Sequence, residues 1–412
     1  MTKPLPLTAS PSWTFTPDPT LQVNSVAVSA DGDSCIFGTS NEYGDGTFNV
    51  YHYDGSQALL RGKWPFRGSK LRAGGVLGCR QRRRQCPAAA MARHCDQAGS
   101  SLLTAYRLSD GALLLNETFS ARVSQVALSG DGSLLLAVSG DTVKLYSYTG
   151  SAYTCVGQQS FTGASCGSCA ISPNGFNAVV ACTIYHDTDG TPATGQVVSL
   201  AIVNQALSVS GIWPTTTAVQ RVAMAATGNY WGAALHDGSC ALLGPANVTS
   251  PLWQYRPTLP NLNIAYGIDI TETSTGRVVL ACAANVALPP TEPLEGPSSG
   301  YLYLVESVQD GSRQFPHLCW GSPLQFSGNP GVSLAREAQS VTATDGQPIY
   351  PLTKPPKETP GNFYLFDGAT GAQLWRYPTP IMNWPMAITP DGRYAFGGSD
   401  DGSVYFWQTA QD

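Results

Sequence analysis

Short apolar runs alternate with turn residues along the whole chain. The pattern is clearest near the C-terminus, where Asn362-Phe363-Tyr364-Leu365-Phe366-Asp367-Gly368, Gln373-Leu374-Trp375-Arg376-Tyr377-Pro378, Met386-Ala387-Ile388-Thr389-Pro390-Asp391-Gly392 and Ser403-Val404-Tyr405-Phe406-Trp407-Gln408 succeed one another. Each run is rich in aromatic and β-branched residues and is stopped by Asp-Gly, Thr-Gly or Pro. That is the punctuation of hairpins, not of helices, and it predicts four short strands joined by turns.

Related copies recur. First strands are expected at Val26-Ala27-Val28-Ser29-Ala30-Asp31-Gly32, Val126 to Gly132, Cys169 to Gly175, Val222 to Gly228 and Met386 to Gly392, each with an apolar residue four before its glycine. Second strands follow at Ile36-Phe37-Gly38, Leu136-Ala137-Val138, Val179-Val180-Ala181, Gly232-Ala233-Ala234 and Phe396-Gly397-Gly398, where small residues suit crowded sheets. Third strands carry Val50-Tyr51, Ala105-Tyr106, Leu145-Tyr146, Leu302-Tyr303-Leu304 and Val404-Tyr405-Phe406. Weaker units over Ile268 to Leu304 and Ser340 to Tyr377 keep the order with longer loops. About eight four-stranded units are expected, with seven as the fallback. Ser12-Trp13-Thr14-Phe15-Thr16-Pro17 copies the outer strands Leu252 to Pro257 and Leu374 to Pro378, while the last unit stops one strand short at Trp407. The N-terminal strand is therefore expected to complete the C-terminal sheet and close a ring.

On these residues the chain resembles the β-propellers of the WD-repeat and quinoprotein-like (PQQ-like) repeat superfamily. Gly397 to Gln408 resembles the end of a WD repeat, with Gln408 where the family has Asp, and Asp367 to Trp375 resembles the quinoprotein-type repeat. The resemblance spans almost the whole chain and implies an all-β propeller formed as one domain over residues 1–412.

Composition agrees with a turn-rich β protein. Charged residues make up 12% of the 412, about half of the roughly 25% usual for soluble domains. A net charge of -5 offers no basic field for nucleic acid. The proline-broken N-terminus lacks a signal-peptide core and no run reaches membrane-spanning length. The expectation is a cytoplasmic monomer with neither nucleic-acid nor membrane partners; a misplaced start codon would instead allow a secreted or periplasmic home.

One stretch breaks the pattern. Gly78-Cys79-Arg80-Gln81-Arg82-Arg83-Arg84 falls where the second unit should begin. Written as GGT TGC CGT CAG CGC CGA CGG and shifted by one base, it reads Val-Ala-Val-Ser-Ala-Asp-Gly, the same as Val26 to Gly32. Residues 66–95 are accordingly expected to be a frame-shifted copy of a first and second strand. The alternative makes the arginines an anion or nucleic-acid patch.

Candidate chemistry is sparse. Cys35, Cys182 and Cys282 fall on second strands as small hydrophobes. Cys166 and Cys169, three apart on an inner strand, are expected on opposite faces, roughly 10 Å apart. His52, His186, His236 and His317 show no metal-ligand spacing, so no metal or cofactor is expected. Function is assigned to loops on the face shared by the second-to-third-strand connections and the links between units. There the chain varies most, at Thr39 to Thr47, Ile184 to Gln196, Ala284 to Gly300 and Leu352 to Gly361. The candidate binding residues are Tyr43, Asp45, Tyr185, His186, Asp187, Asp189, Glu292 and Glu295 on the loops, with Trp64, Trp213 and Trp384 at outer-strand ends. Glu42 would extend the acidic rim. The expected function is a non-enzymatic scaffold that binds a protein or peptide partner on this face. The alternative is a propeller enzyme or small-molecule binder, lactonase-like or quinoprotein-like, that uses the central channel.

Overall fold

The computed structural model describes residues 10–40, 48–66, 89–94, 101–186, 193–245, 247–286, 299–346 and 360–409. β1 (Trp13–Phe15) stands apart at the start of the chain. The first blade follows as β2 (Gln22–Val28), β3 (Ser34–Ser40), β4 (Phe48–Asp54) and β5 (Leu59–Phe66). A sheet of three strands comes next: β6 (Ala89–His94), β7 (Ser101–Tyr106) and β8 (Leu113–Phe119). Three regular blades run from β9 (Val123–Leu128), β10 (Leu134–Ser139), β11 (Thr142–Tyr148) and β12 (Tyr153–Ser160), through β13 (Ser165–Ile171), β14 (Asn177–Ile184), β15 (Thr194–Val203) and β16 (Ala206–Thr215), to β17 (Val219–Met224), β18 (Trp231–Leu235), β19 (Cys240–Leu243) and β20 (Trp253–Tyr255). The longest strands form the blade of β21 (Leu262–Glu272), β22 (Val278–Val286), β23 (Ser299–Asp310) and β24 (Arg313–Leu324). Then come β25 (Ser327–Gly328) and β26 (Ser333–Leu334), both paired with β27 (Ser340–Gly346), followed by β28 (Gly361–Asp367) and β29 (Gln373–Thr379). The last blade is β30 (Asn383–Ile388), β31 (Tyr394–Ser399) and β32 (Val404–Gln408), with β1 as its fourth strand.

All pairing is antiparallel, and seven sheets have four strands or more. The β-propeller thus has seven complete blades, the lower of the two expected counts, and the three-stranded β6–β8 sheet beside them. The first strands of neighbouring sheets touch around the axis: β9 meets β13, β13 meets β17, β17 meets β21, β26 meets β30, and β30 meets β2. The second strands are buried almost throughout, as in Leu134–Ser139 and Val278–Ala284. Their small side chains let adjacent sheets approach, and the core is a series of layers between blades, such as the cluster of Leu136, Val138, Cys166, Val180 and Cys182.

The Ser/Thr-x-Asp/Asn-Gly repeat is explained by the turn between first and second strands. Ser129 Oγ donates to Asp131 Oδ1 at 2.8 Å, Ser133 N donates to the same oxygen at 2.9 Å, and Leu134 N donates to Ser129 Oγ at 2.9 Å. The same bonds recur at Ser172 with Asn174 and at Thr389 with Asp391. These side chains satisfy turn amides that no strand can reach, and the glycine supplies the positive φ, +70° at Gly132 and +74° at Gly392. In the β26–β27 turn Ala338 occupies that conformation instead, at φ +56°. This substitution, and an inner strand of only two residues, hid the start of that unit, which begins at β25 and not at Ser340.

Free amides at the axis are also capped. Ser168 Oγ accepts Val222 N at 3.2 Å, Asp269 Oδ2 accepts Leu334 N at 2.7 Å, and Ser333 Oγ accepts Ile388 N at 3.4 Å, each joining one inner strand to the next. Ring closure takes place as expected. Trp13 faces Phe406 in register and stacks on it at 5.1 Å between centroids, while Ser12 N donates to Phe406 O at 2.7 Å. Trp13 Nε1 donates to Gly55 O of the first blade at 2.8 Å. Trp320 Nε1 makes the equivalent bond to Gly368 O at 2.9 Å. An outer-strand tryptophan that reaches the turn of the following blade is therefore a latch between sheets.

Two expectations are corrected. Cys166 and Cys169 share one apolar cluster instead of opposite faces, because the β13–β14 register shifts between Cys166 and Ser168 and the bulge reverses the alternation. Trp384 lies on the inner strand β30, not at an outer-strand end. Of the irregular segment, Phe66, which ends β5, and Ala89–His94 fall among the described residues, the latter paired with β7 as a second strand would be.

Candidate functional site

Four second-to-third-strand connections are long: Ser40 to Phe48, Ile184 to Thr194, Val286 to Ser299 and Gly346 to Gly361. The corresponding turns in other blades are tight, as from Ser139 to Thr142 and from Ser399 to Val404. Since every sheet is antiparallel and every first strand lies at the axis, all these connections leave from one end of the ring. Tyr43, Asp45, Asp187, Asp189, Glu292 and Glu295, with Glu42, lie within the connections and outside the described residues.

The other candidates are placed. Tyr185 is 65% exposed at the end of β14, and the neighbouring His186 Nε2 lies 3.1 Å from Thr194 Oγ1 across the root of the same connection. Trp213 is buried between blades against Val179, Val197 and Val219, so it serves packing and not recognition. Trp64 stacks on Tyr106 at 5.5 Å and on His52 at 6.4 Å, a contact between the first blade and the three-stranded sheet. Repetition of Trp near Pro was a packing signal in both cases. The exposed Phe176, at 65%, belongs to a turn between first and second strands and so to the opposite face.

The axis adds residues that the loop argument did not reach. At the starts of the inner strands the register shifts between Val23 and Ser25, Cys166 and Ser168, Val219 and Arg221, and Asn383 and Met386. Such bulges re-aim side chains at the mouth of the ring. Trp384 Nε1 donates to Asp400 Oδ2 at 3.1 Å, and Gln22 Nε2 reaches the same oxygen at 3.4 Å, which ties the start of the first blade to the last. Arg221 follows the bulge on β17. Burial between the inner strands pulls its pKa down to about 10, an effect that Tyr266 of the next blade opposes. Among the described residues it has no carboxylate partner. Counting back seven from the turn glycines gives Ser25, Gln125, Ser168 and Arg221, so alignment of the units would have exposed the single cation.

A buried carboxylate anchors the longest connection. Asp345 Oδ2 accepts Tyr364 Oη at 2.6 Å and Phe326 N at 2.9 Å, while Oδ1 accepts Asn362 N at 2.7 Å and Asn362 Nδ2 at 2.9 Å. Burial nevertheless holds its carboxyl above the usual range, since the donors offset only part of the lost hydration. Both ends of the 346–361 connection are thereby fixed to the β24–β25 link. Among the described residues no three His, Cys, Asp or Glu side chains gather as a metal-binding group. Among the same residues no helix is long and apolar enough to cross a membrane.

Residues 386–408 match the family described as WD domain, G-beta repeat. No curated protein matches the chain. Among solved structures, the β-propeller domain of Myceliophteria thermophila Cps50 (Swd1) is similar with a TM-score of 0.54 at 12% identity, over 97% of this chain and 99% of that one. Kuenenia stuttgartiensis hydrazine synthase is similar with a TM-score of 0.54 at 12% identity, over 95% and 96%. At such identity the likeness concerns the fold.

Proposed function

We propose that this β-propeller, which carries a WD-type repeat at residues 386–408, is a non-enzymatic scaffold whose loop-rich face binds a protein or peptide partner. The observation that supports this is the gathering of four long connections at one end of a rigid ring, with tight turns in the other blades. Variable loops on rigid sheets are the usual place for recognition, and aromatic side chains such as the exposed Tyr185 supply contact area at small entropic cost. In the same reading the protein works as a monomer in the cytoplasm, without nucleic-acid or membrane partners and without a cofactor. The test is cross-linking mass spectrometry on the protein isolated with its bound partners, repeated with each long connection shortened to the β10–β11 turn. Cross-links concentrated at residues 40–48, 184–194, 286–299 and 346–361, and lost in the shortened variants, support the proposal. Cross-links confined to the Phe176 face overturn it.

A second reading, in which the channel binds a small anionic molecule, is favoured by Arg221, a half-buried cation with no carboxylate partner among the described residues. Citrate would raise the melting temperature of the native protein and not that of Arg221→Gln. Equal behaviour of the two proteins dismisses this reading.

A further inference from the structure

Two cysteines of the β13–β16 blade form a pair that the spacing of the chain did not suggest. Cys166 on β13 and Cys182 on β14 are direct partners in the antiparallel register, and their Sγ atoms lie 2.8 Å apart. Non-bonded carbon atoms settle at about 3.5–4.0 Å, and sulfur is larger than carbon. The two thiols are therefore already inside ordinary contact. Directly opposed residues of an antiparallel pair also have Cα separations of about 4.5–5.5 Å, within the range of about 4.4–6.8 Å that a disulfide spans. Both residues are fully buried in the apolar cluster with Leu136, Val138 and Val180. Cys169 belongs to the same cluster but pairs with Val180, two positions further along the ladder from the opposed pair.

We infer that Cys166 and Cys182 are a site of covalent modification by a thiol–disulfide oxidant, and that they join as a cross-strand disulfide. The thiolate of one cysteine attacks a sulfur of a small-molecule disulfide such as oxidised glutathione and releases one glutathione thiolate. The second cysteine thiolate then attacks the protein sulfur of this mixed disulfide and expels the other glutathione. In balance, the two protein thiols lose two electrons and two protons, one S–S bond forms, and one S–S bond of the oxidant is reduced to two thiols. The step belongs to folding, before β13 and β14 are covered. In the finished blade the contact with Cys166, followed by burial, pushes the Cys182 thiol well above its ordinary pKa, which leaves little of the attacking thiolate.

The full chain should be unfolded with reductant, refolded in mixed oxidised and reduced glutathione, then unfolded again without reductant, alkylated with N-ethylmaleimide in the denaturant and digested without reduction. Peptides containing Cys166 and Cys182 are expected as one joined species, lighter by two hydrogens than their sum, while Cys35, Cys240 and Cys282 carry the alkyl label. Complete labelling of Cys166 and Cys182, or a bond from either to Cys169, would overturn the assignment. A second measurement compares melting with and without reductant. Reduction should lower the melting temperature of the native sequence and leave Cys166→Ala/Cys182→Ala unmoved; an equal response of both proteins rejects the cross-link even where the peptides are hard to recover.

Discussion

At the scale of single residues, buried polar groups give the sharpest expectations. Tyr364 donates to the enclosed Asp345 carboxylate at 2.6 Å, and Tyr364→Phe should cost about 2 kcal/mol, the usual value for a hydrogen bond to a charged group, measured by urea unfolding. The loss should be accompanied by faster proteolysis at residues 346–361, because the same carboxylate holds both ends of that connection. His52 behaves differently. Burial first, and Arg61 next, lower its pKa, so the folded protein resists protonation that the unfolded chain accepts. The unfolded chain therefore takes up its proton near the ordinary histidine value of about 6.5, and stability is full above that pH and falls as the pH drops towards the folded pKa. His52→Gln should remove this part of the decline between pH 7.5 and 5, read as a smaller shift of the urea midpoint. Neither residue stood out in the sequence: His52 offered only a histidine without metal-ligand spacing, and the groups that enclose both residues lie on neighbouring strands and turns of the same blade, where only the strand pairing brings them together.

At the scale of elements, strand order and turns were legible because their chemistry is local. The Ser/Thr-x-Asp/Asn-Gly signature encodes its own hydrogen bonds, and small residues mark the crowded second strands. Bulges were not legible, and they reversed the placement of Cys169 relative to Cys166. The tryptophans were misread for a related reason. Trp64 and Trp213 looked like surface anchors beside prolines, yet each fills the seam to a neighbouring sheet, a role that requires the partner blade to be known. The Asp367-Gly368 turn has a steric meaning: a methyl group on Gly368 would overlap the carbonyl oxygen of Ala338 in the adjoining turn. Gly368→Ala should destabilise by about 2–3 kcal/mol, at the upper end for overpacking because backbone cannot step aside as a side chain can; thermal unfolding measures it. In the irregular second unit the described residues contain a three-stranded sheet. Our proposal that residues 66–95 are a frame-shifted copy is checked by peptide mass spectrometry of the native protein, where Val-Ala-Val-Ser-Ala-Asp-Gly is expected and the Arg-rich peptide would refute it.

At the scale of the whole molecule, the ring depends on a short strand taken from the far end of the chain. Trp13→Ala should cost about 2–3 kcal/mol, less than the roughly 3–5 kcal/mol of a fully buried tryptophan, because its ring stacks on Phe406 and Tyr53 while remaining partly exposed. Deletion of residues 1–16 should do more. It leaves the β32 edge unpaired, and light scattering should report association through that edge on warming. The position of β1 also has a consequence in time. Gln408 N bonds Ser12 Oγ across 396 residues of sequence, a separation whose closure entropy must be overcome before the contact is made. On the ribosome the first blade can form early, but its Trp13 latch has no partner sheet until β32 has been made. Each nascent chain thus passes through an open horseshoe with two raw ends, and the hoop is fastened last.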